Sequence, residues 1–139
     1  YLKRKKVDMI ILACNTLSVI VLDEIKPYFK IPIIGVIELF NFASYRNALF
    51  IGTENTVKNL KNKYKQITFL ATPKLISYIE KNDIRCIQEY LKEKRNLFDS
   101  YSYILLGCTH FIKIKHLIKN GIAQDDLFNL KMLNGIGNT

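Results

Sequence analysis

Two stretches decide the fold: "IILACNTLS" at residues 10–18 and "YILLGCTHF" at residues 103–111. In each, an apolar run ends at a small residue, a cysteine follows, and polar residues that can open a helix come next. A strand running into a helix through a short cysteine-bearing turn is a unit of a parallel α/β fold. Its recurrence near both ends of the chain suggests two similar half-structures facing each other.

Working outward from the first stretch, residues 7–13 are apolar apart from Asp8 and read as a strand buried on both faces. Leu17, Ile20, Val21, Ile25 and Phe29 then fall on one helical face, with Asn15 or Thr16 available to cap the start and Pro32 beyond the end. Residues 33–37, 48–51, 67–71 and 102–106 read as further strands. The segments between them carry helical patterns: Val57, Leu60 and Tyr64; Leu75, Ile76 and Ile79 after Thr72-Pro73; residues 84–91; and residues 111–118 after the second cysteine. Alternating strand and helix predicts parallel sheets flanked by helices. Past Asn120 the pattern weakens, with one more strand expected at residues 127–133 and a loop over the last six residues.

The 139 residues suffice for one ordinary domain, or for one lobe and part of another, and 49% hydrophobic with 24% charged residues is the balance of a chain that folds around a core. No apolar run reaches the ~18 residues of a membrane span, and residues 1–6 lack the order of a signal peptide, so a cytoplasmic location is expected. The chain opens at Tyr1 on a basic stretch leading directly into a strand, which suggests that sequence precedes it. The net charge of +9 comes mainly from lysines scattered along the chain, without an aromatic RNA-binding motif or a helix-turn-helix pattern, and no nucleic-acid partner is expected.

Three cysteines, Cys14, Cys86 and Cys108, show neither a Cys-x-x-Cys spacing nor accompanying paired histidines, so neither a zinc site nor a disulfide framework is indicated. Cys86, inside the helical pattern "DIRCIQEYL", reads as a small hydrophobe. Cys14 and Cys108 differ: Asn15 and Thr16 follow the first, Thr109 and His110 the second, and such polar side chains at strand ends need partners that a ligand can supply. Ligands of parallel sheets gather beyond the carboxyl ends of the strands, where helix-start amides cradle anions and lower a thiol's pKa. Two opposed thiols, one ionised and one protonated, suit removal of a proton from one face of a carbon and delivery to the other.

"ACNTLS" with "GCTHF", joined by "IPIIGVIE" and "GTENTV", closely resembles the cofactor-independent glutamate racemases over about residues 7–118. The resemblance implies two pseudo-symmetric α/β lobes with glutamate, L or D, held between them, no cofactor and no metal. It implies Cys14 and Cys108 as the catalytic pair, Asn15, Thr16 and Thr109 as substrate-binding residues, and His110 as a substrate contact or as the group that poises Cys108. Residues 1–35 would be the remainder of an N-terminal lobe, residues 36–110 the second lobe, and residues 111–139 the return toward the first, with an irregular tail. Glu38 matches the family's acidic residue after "GVI", while His116 reads as a surface or core histidine.

Departures from the family pattern are visible as well. Its Asp-Ser-Gly segment and Tyr-Gly loop have no counterpart and would precede Tyr1; Leu39 and Ile112 stand where prolines are usual; and "LNGIGNT" is only loosely similar to a later Asp-Ser strand end, with Asn134 in place of the acid. The resulting expectation is a glutamate racemase supplying D-glutamate for peptidoglycan, with a homodimer left open. The alternatives are a truncated racemase-fold fragment acting at most as a binding module, and a thiol-disulfide exchanger.

Overall fold

A computed structural model describes residues 6–127. In it, β1 (Ile10–Leu12) leads into α1 (Asn15–Ile25), and β2 (Ile33–Gly35) pairs parallel to β1. A second sheet holds β3 (Ala48–Gly52), β4 (Thr68–Ala71), β5 (Tyr103–Leu106) and β6 (Gly121–Ala123) in the order β4-β3-β5-β6, all parallel. Helices α2 (Glu54–Leu60), α3 (Pro73–Glu80) and α4 (Ile84–Asp99) and a 3-10 helix (Thr109–Leu117) make the crossovers. The expected arrangement of parallel sheets flanked by helices is the one found.

Strand β3, at an interior position of the larger sheet, is buried along its whole length. Its side chains alternate between two cores: Leu49 and Ile51 pack with Leu75, Ile79, Ile104, Leu106 and Phe111, while Ala48 and Phe50 pack with Phe40, Phe42, Val57, Leu60 and Leu105. Helices cover both faces, so period-2 alternation between polar and apolar residues is absent and the strand is apolar throughout.

The first sheet is thinner. Its core is Ile10, Leu22 and Ile33. With one partner strand and one covering helix, β1 is narrower than the expected 7–13 and is not buried on both faces: Ile11 is 40% exposed. Helix α1 also turns differently from its apolar pattern. Leu17 and Ile20 face outward, 51% and 48% exposed, and the buried positions are Asn15, Ser18 and Leu22. Polar bonding drives this rotation: the Ser18 hydroxyl donates to the carbonyls of Cys14 and Leu12, at 2.7 and 3.2 Å, and Asn15 is bonded across the molecule as described below. The N-cap is Cys14, without a side-chain cap bond, and not Asn15 or Thr16.

Two further differences concern the C-terminal part. The expected helix at residues 111–118 is a nine-residue 3-10 helix whose buried side chains, Phe111 and Ile114, sit three apart, the repeat at which 3-10 side chains align. Strand β6 was not foreseen; three residues bounded by Asn120 and Gln124 give too short a pattern. The strand expected at residues 127–133 lies almost wholly outside the described residues, and Leu127, the one inside, is helical. Asn134 and the terminal loop also lie outside them.

Candidate active site

The turn that carries Cys108 is set by a glycine. A Cβ on Gly107 would lie 1.9 Å from Cζ of Phe50, so only a bare Cα lets the chain cross this ring while the Gly107 N–H donates to the Ile51 carbonyl at 2.9 Å. Cys108 then opens the 3-10 helix as its N-cap, just as Cys14 opens α1. Each cysteine stands two residues past the end of a parallel strand, β1 for Cys14 and β5 for Cys108. Cys14 is exposed and Cys108 buried; both are free thiols.

Burial pushes the Cys108 thiol above its ordinary pKa; the His110 backbone N–H opposes this, and the negative charges of Cys14 and Glu80 add to it. A lowered pKa was expected from the helix start. At Cys108 desolvation outweighs it, and the thiol form is favoured.

His110 is half-buried, with Nδ1 3.3 Å from Cys108 Sγ and Nε2 3.5 Å from Oε1 of Glu80, the last residue of α3. Thiol, imidazole and carboxylate thus form a line in which the imidazole can take a proton from sulfur while the carboxylate steadies the resulting cation. The sequence reading missed Glu80: it lies 28 positions before Cys108 in an ordinary amphipathic helix, with no local motif to mark it. Thr109 is half-buried beside Cys108.

The residues after Cys14 are engaged in structural bonds. Asn15 is 3% exposed; its Nδ2 donates to Gln124 Oε1 at 3.0 Å and its Oδ1 accepts from Gln124 Nε2 at 2.6 Å. Gln124 Nε2 also donates to the Val36 carbonyl at 3.0 Å. The Asn15 side chain is thereby bonded within the protein, and its main-chain N–H lies at the start of α1. Removing either amide would strand buried polar atoms at a cost of about 1–3 kcal/mol. The Thr16 hydroxyl bonds those of Thr53 at 2.9 Å and Thr56 at 3.1 Å, and Thr53 donates to Thr56 at 2.9 Å, joining α1 to the start of α2.

Glu38 serves as a local cap, accepting from the Gly35 N–H at 3.2 Å and from Lys26 Nζ at 2.9 Å. Cys86 lies in α4, half-buried, its N–H bonded to the N-cap carboxylate of Asp83. His116 is exposed. Among the described residues no cluster of three or more histidine, cysteine, aspartate or glutamate side chains could hold a metal ion, and no helix is long and apolar enough to cross a membrane.

The parallel α/β framework is that of the two-lobe racemase fold. A glutamate racemase from Bacillus anthracis superposes with a TM-score of 0.77 over 95% of this chain and 59% of its own, at 22% identity, which speaks to the fold. In sequence, the chain is 32% identical over 145 residues to a glutamate racemase of Carnobacterium sp. (strain St2) and 31% identical over 137 residues to that of Aquifex aeolicus (strain VF5). These matches take in 89% and 86% of this chain and 53% of each relative, so the chain spans about half the length of the curated relatives it matches. No family model matches it. The resemblance carried by the two cysteine motifs is borne out: the chain is a partial relative of the glutamate racemases.

Proposed function

We propose that this chain provides the two-thiol centre of a glutamate racemase, interconverting L- and D-glutamate by proton transfer at Cα with no metal or organic cofactor. The observation that carries this reading is the placement of Cys14 and Cys108 each two residues past the end of a parallel strand, with Cys108 backed by His110 and Glu80. Inversion needs a base on one face of the carbon and an acid on the other. A thiolate takes the α-proton: the C–H bond breaks, an S–H bond forms, and the electron pair passes to the carbanion beside the substrate carboxylate. The opposite thiol then delivers its proton to the other face.

Cys108, held in its thiol form by burial, starts as the donor, and Cys14 as the base. In the reverse direction the Cys108 proton passes to His110 Nδ1, and Glu80 stabilises the imidazolium. The main-chain N–H groups that open α1, with the hydroxyls of Thr16 and Thr109, hold the substrate's carboxylates. Sheets β1–β2 and β4-β3-β5-β6 are read as parts of the two lobes, with a boundary near residue 35; the boundary expected near residue 110 is dropped, because β6 continues the larger sheet beyond it. The product D-glutamate would supply peptidoglycan in the cytoplasm, from a monomer or a homodimer.

The test is incubation with L-glutamate in deuterated water, following α-deuterium incorporation together with D-glutamate. Exchange with inversion is expected, abolished by Cys14→Ala or Cys108→Ala and retained by Cys86→Ala. The second reading, a racemase scaffold kept as a binding module, is favoured by the commitment of the Asn15 side chain to Gln124. Glutamate binding without exchange in folded protein would establish it.

A further inference from the structure

We propose that Gln124 is a positioning residue that sets the separation of Cys14 and Cys108 by clasping the Cys14 turn to the sheet that carries Cys108. Gln124 follows Ala123 of β6, and Ala123 is the register partner of Leu106, the last residue of β5 before Gly107 and Cys108. Its carboxamide crosses to Asn15, the residue next to Cys14, in a reciprocal pair at 3.0 and 2.6 Å. Its second N–H reaches the Val36 carbonyl, just past the end of β2. One side chain thus joins β6 of the larger sheet to both the helix that follows β1 and the turn that follows β2.

Asn15 and Gln124 are each 3% exposed; both side-chain oxygens accept, and three of the four amide N–H bonds donate. Being neutral on both sides, it holds this spacing whatever the ionisation of the thiols. An amide is required for this. A carboxylate in place of Gln124 would point an oxygen at two acceptors, Asn15 Oδ1 and the Val36 carbonyl. The pair meets that conflict only when the new carboxyl is protonated and donates to one of them.

The proposal rests on the functional reading only in taking Cys14 and Cys108 as the pair that matters, and its test needs no substrate. A short bis-maleimide is applied to the full chain, and the Cys14–Cys108 bridge is quantified by peptide mass mapping, normalised to labelling of each thiol by a monofunctional maleimide across pH. The charged groups around the clasp are Asp125 and Asp126, both held by Lys115, Glu38 with Lys26 beyond Val36, and the Cys14 thiol itself.

Gln124→Glu is expected to bridge like the parent at acidic pH and to fall roughly fivefold to tenfold once its carboxyl ionises. The near-isosteric Gln124→Met should lose the same factor at every pH, and it decides the matter if the first variant fails to fold. Parental bridging by folded Gln124→Met, or a loss in Gln124→Glu that ignores pH, overturns the proposal. Intact bridging without α-hydrogen exchange would instead count against the racemase reading and leave the clasp in place.

Discussion

Replacing Gly107 with alanine tests the geometry of the Cys108 turn most directly. The new methyl would begin 1.9 Å from Phe50 Cζ and 2.4 and 2.5 Å from two further ring carbons. Restoring an ordinary contact of 3.4 Å requires a shift of about 1.5 Å, the difference of the two distances. Phe50 cannot supply it cheaply: it is fully buried, and its ring centroid lies 5.2 Å from that of Phe69, 5.9 Å from Phe42 and 6.0 Å from Phe40. The strand end must yield instead, carrying Cys108 with it. Overpacking of this kind costs about 1–3 kcal/mol, and the upper half of that range fits a ring enclosed on several sides. For a chain of this size ~2–3 kcal/mol lowers Tm by roughly 6–12 °C. Urea titration should show a lower midpoint with an unchanged slope, and Phe50→Leu in the same chain should recover part of the loss. A Gly107→Ala midpoint indistinguishable from the parent would refute the steric argument.

Two other outcomes follow from the thiol line. Because burial raises the Cys108 pKa above the 9.0 of a free thiol, the unfolded chain ionises first as pH climbs. The stability this group contributes is therefore complete below about pH 9 and declines as pH rises from there through the folded value. Chemical denaturation in mildly alkaline buffer should show this decline in the parent and a smaller one in Cys108→Ser; equal slopes would remove burial as the cause. Glu80→Gln keeps the shape of the side chain but removes the charge at 3.5 Å from His110 Nε2. Exchange in the direction that uses Cys108 as base should fall about tenfold to a hundredfold with little change in KM, the range typical of a partner that orients a catalytic histidine in this way. A loss confined to KM would instead place Glu80 in substrate binding.

What could be read directly from the chain was whatever local pattern decides. Apolar runs at residues 48–51 and 104–106 mark buried parallel strands because both their faces are covered, and the small-Cys-polar turns mark the strand ends that carry the candidate site. The remainder depended on contacts distant in sequence. Leu17 and Ile20 look like a core face until the bonds of Asn15 and Ser18 rotate α1 away from it. Nothing near Asn15 in sequence announces that its amide bonds Gln124, 109 positions later. Glu80 reaches His110 only because α3 ends where the 3-10 helix begins its run across the same face. Helical periodicity reports how residues repeat along a helix but not which side the tertiary fold will choose.

The unequal thickness of the two sheets has a consequence for how the molecule opens. The larger sheet is secured by two extensive apolar clusters, one on each face, whereas β1 and β2 rest on a cluster of three buried side chains. The clasp and the threonine hydroxyls are what tie that thin layer down, and they close chain loops so long that each adds little further entropic cost for its length. Local opening is expected to begin at β1, α1 and β2, loosening the turn that carries the already exposed Cys14 while Cys108 stays enclosed. Among the described residues, Cys108 belongs to the larger apolar cluster, and Cys14 stands at the edge of the smallest.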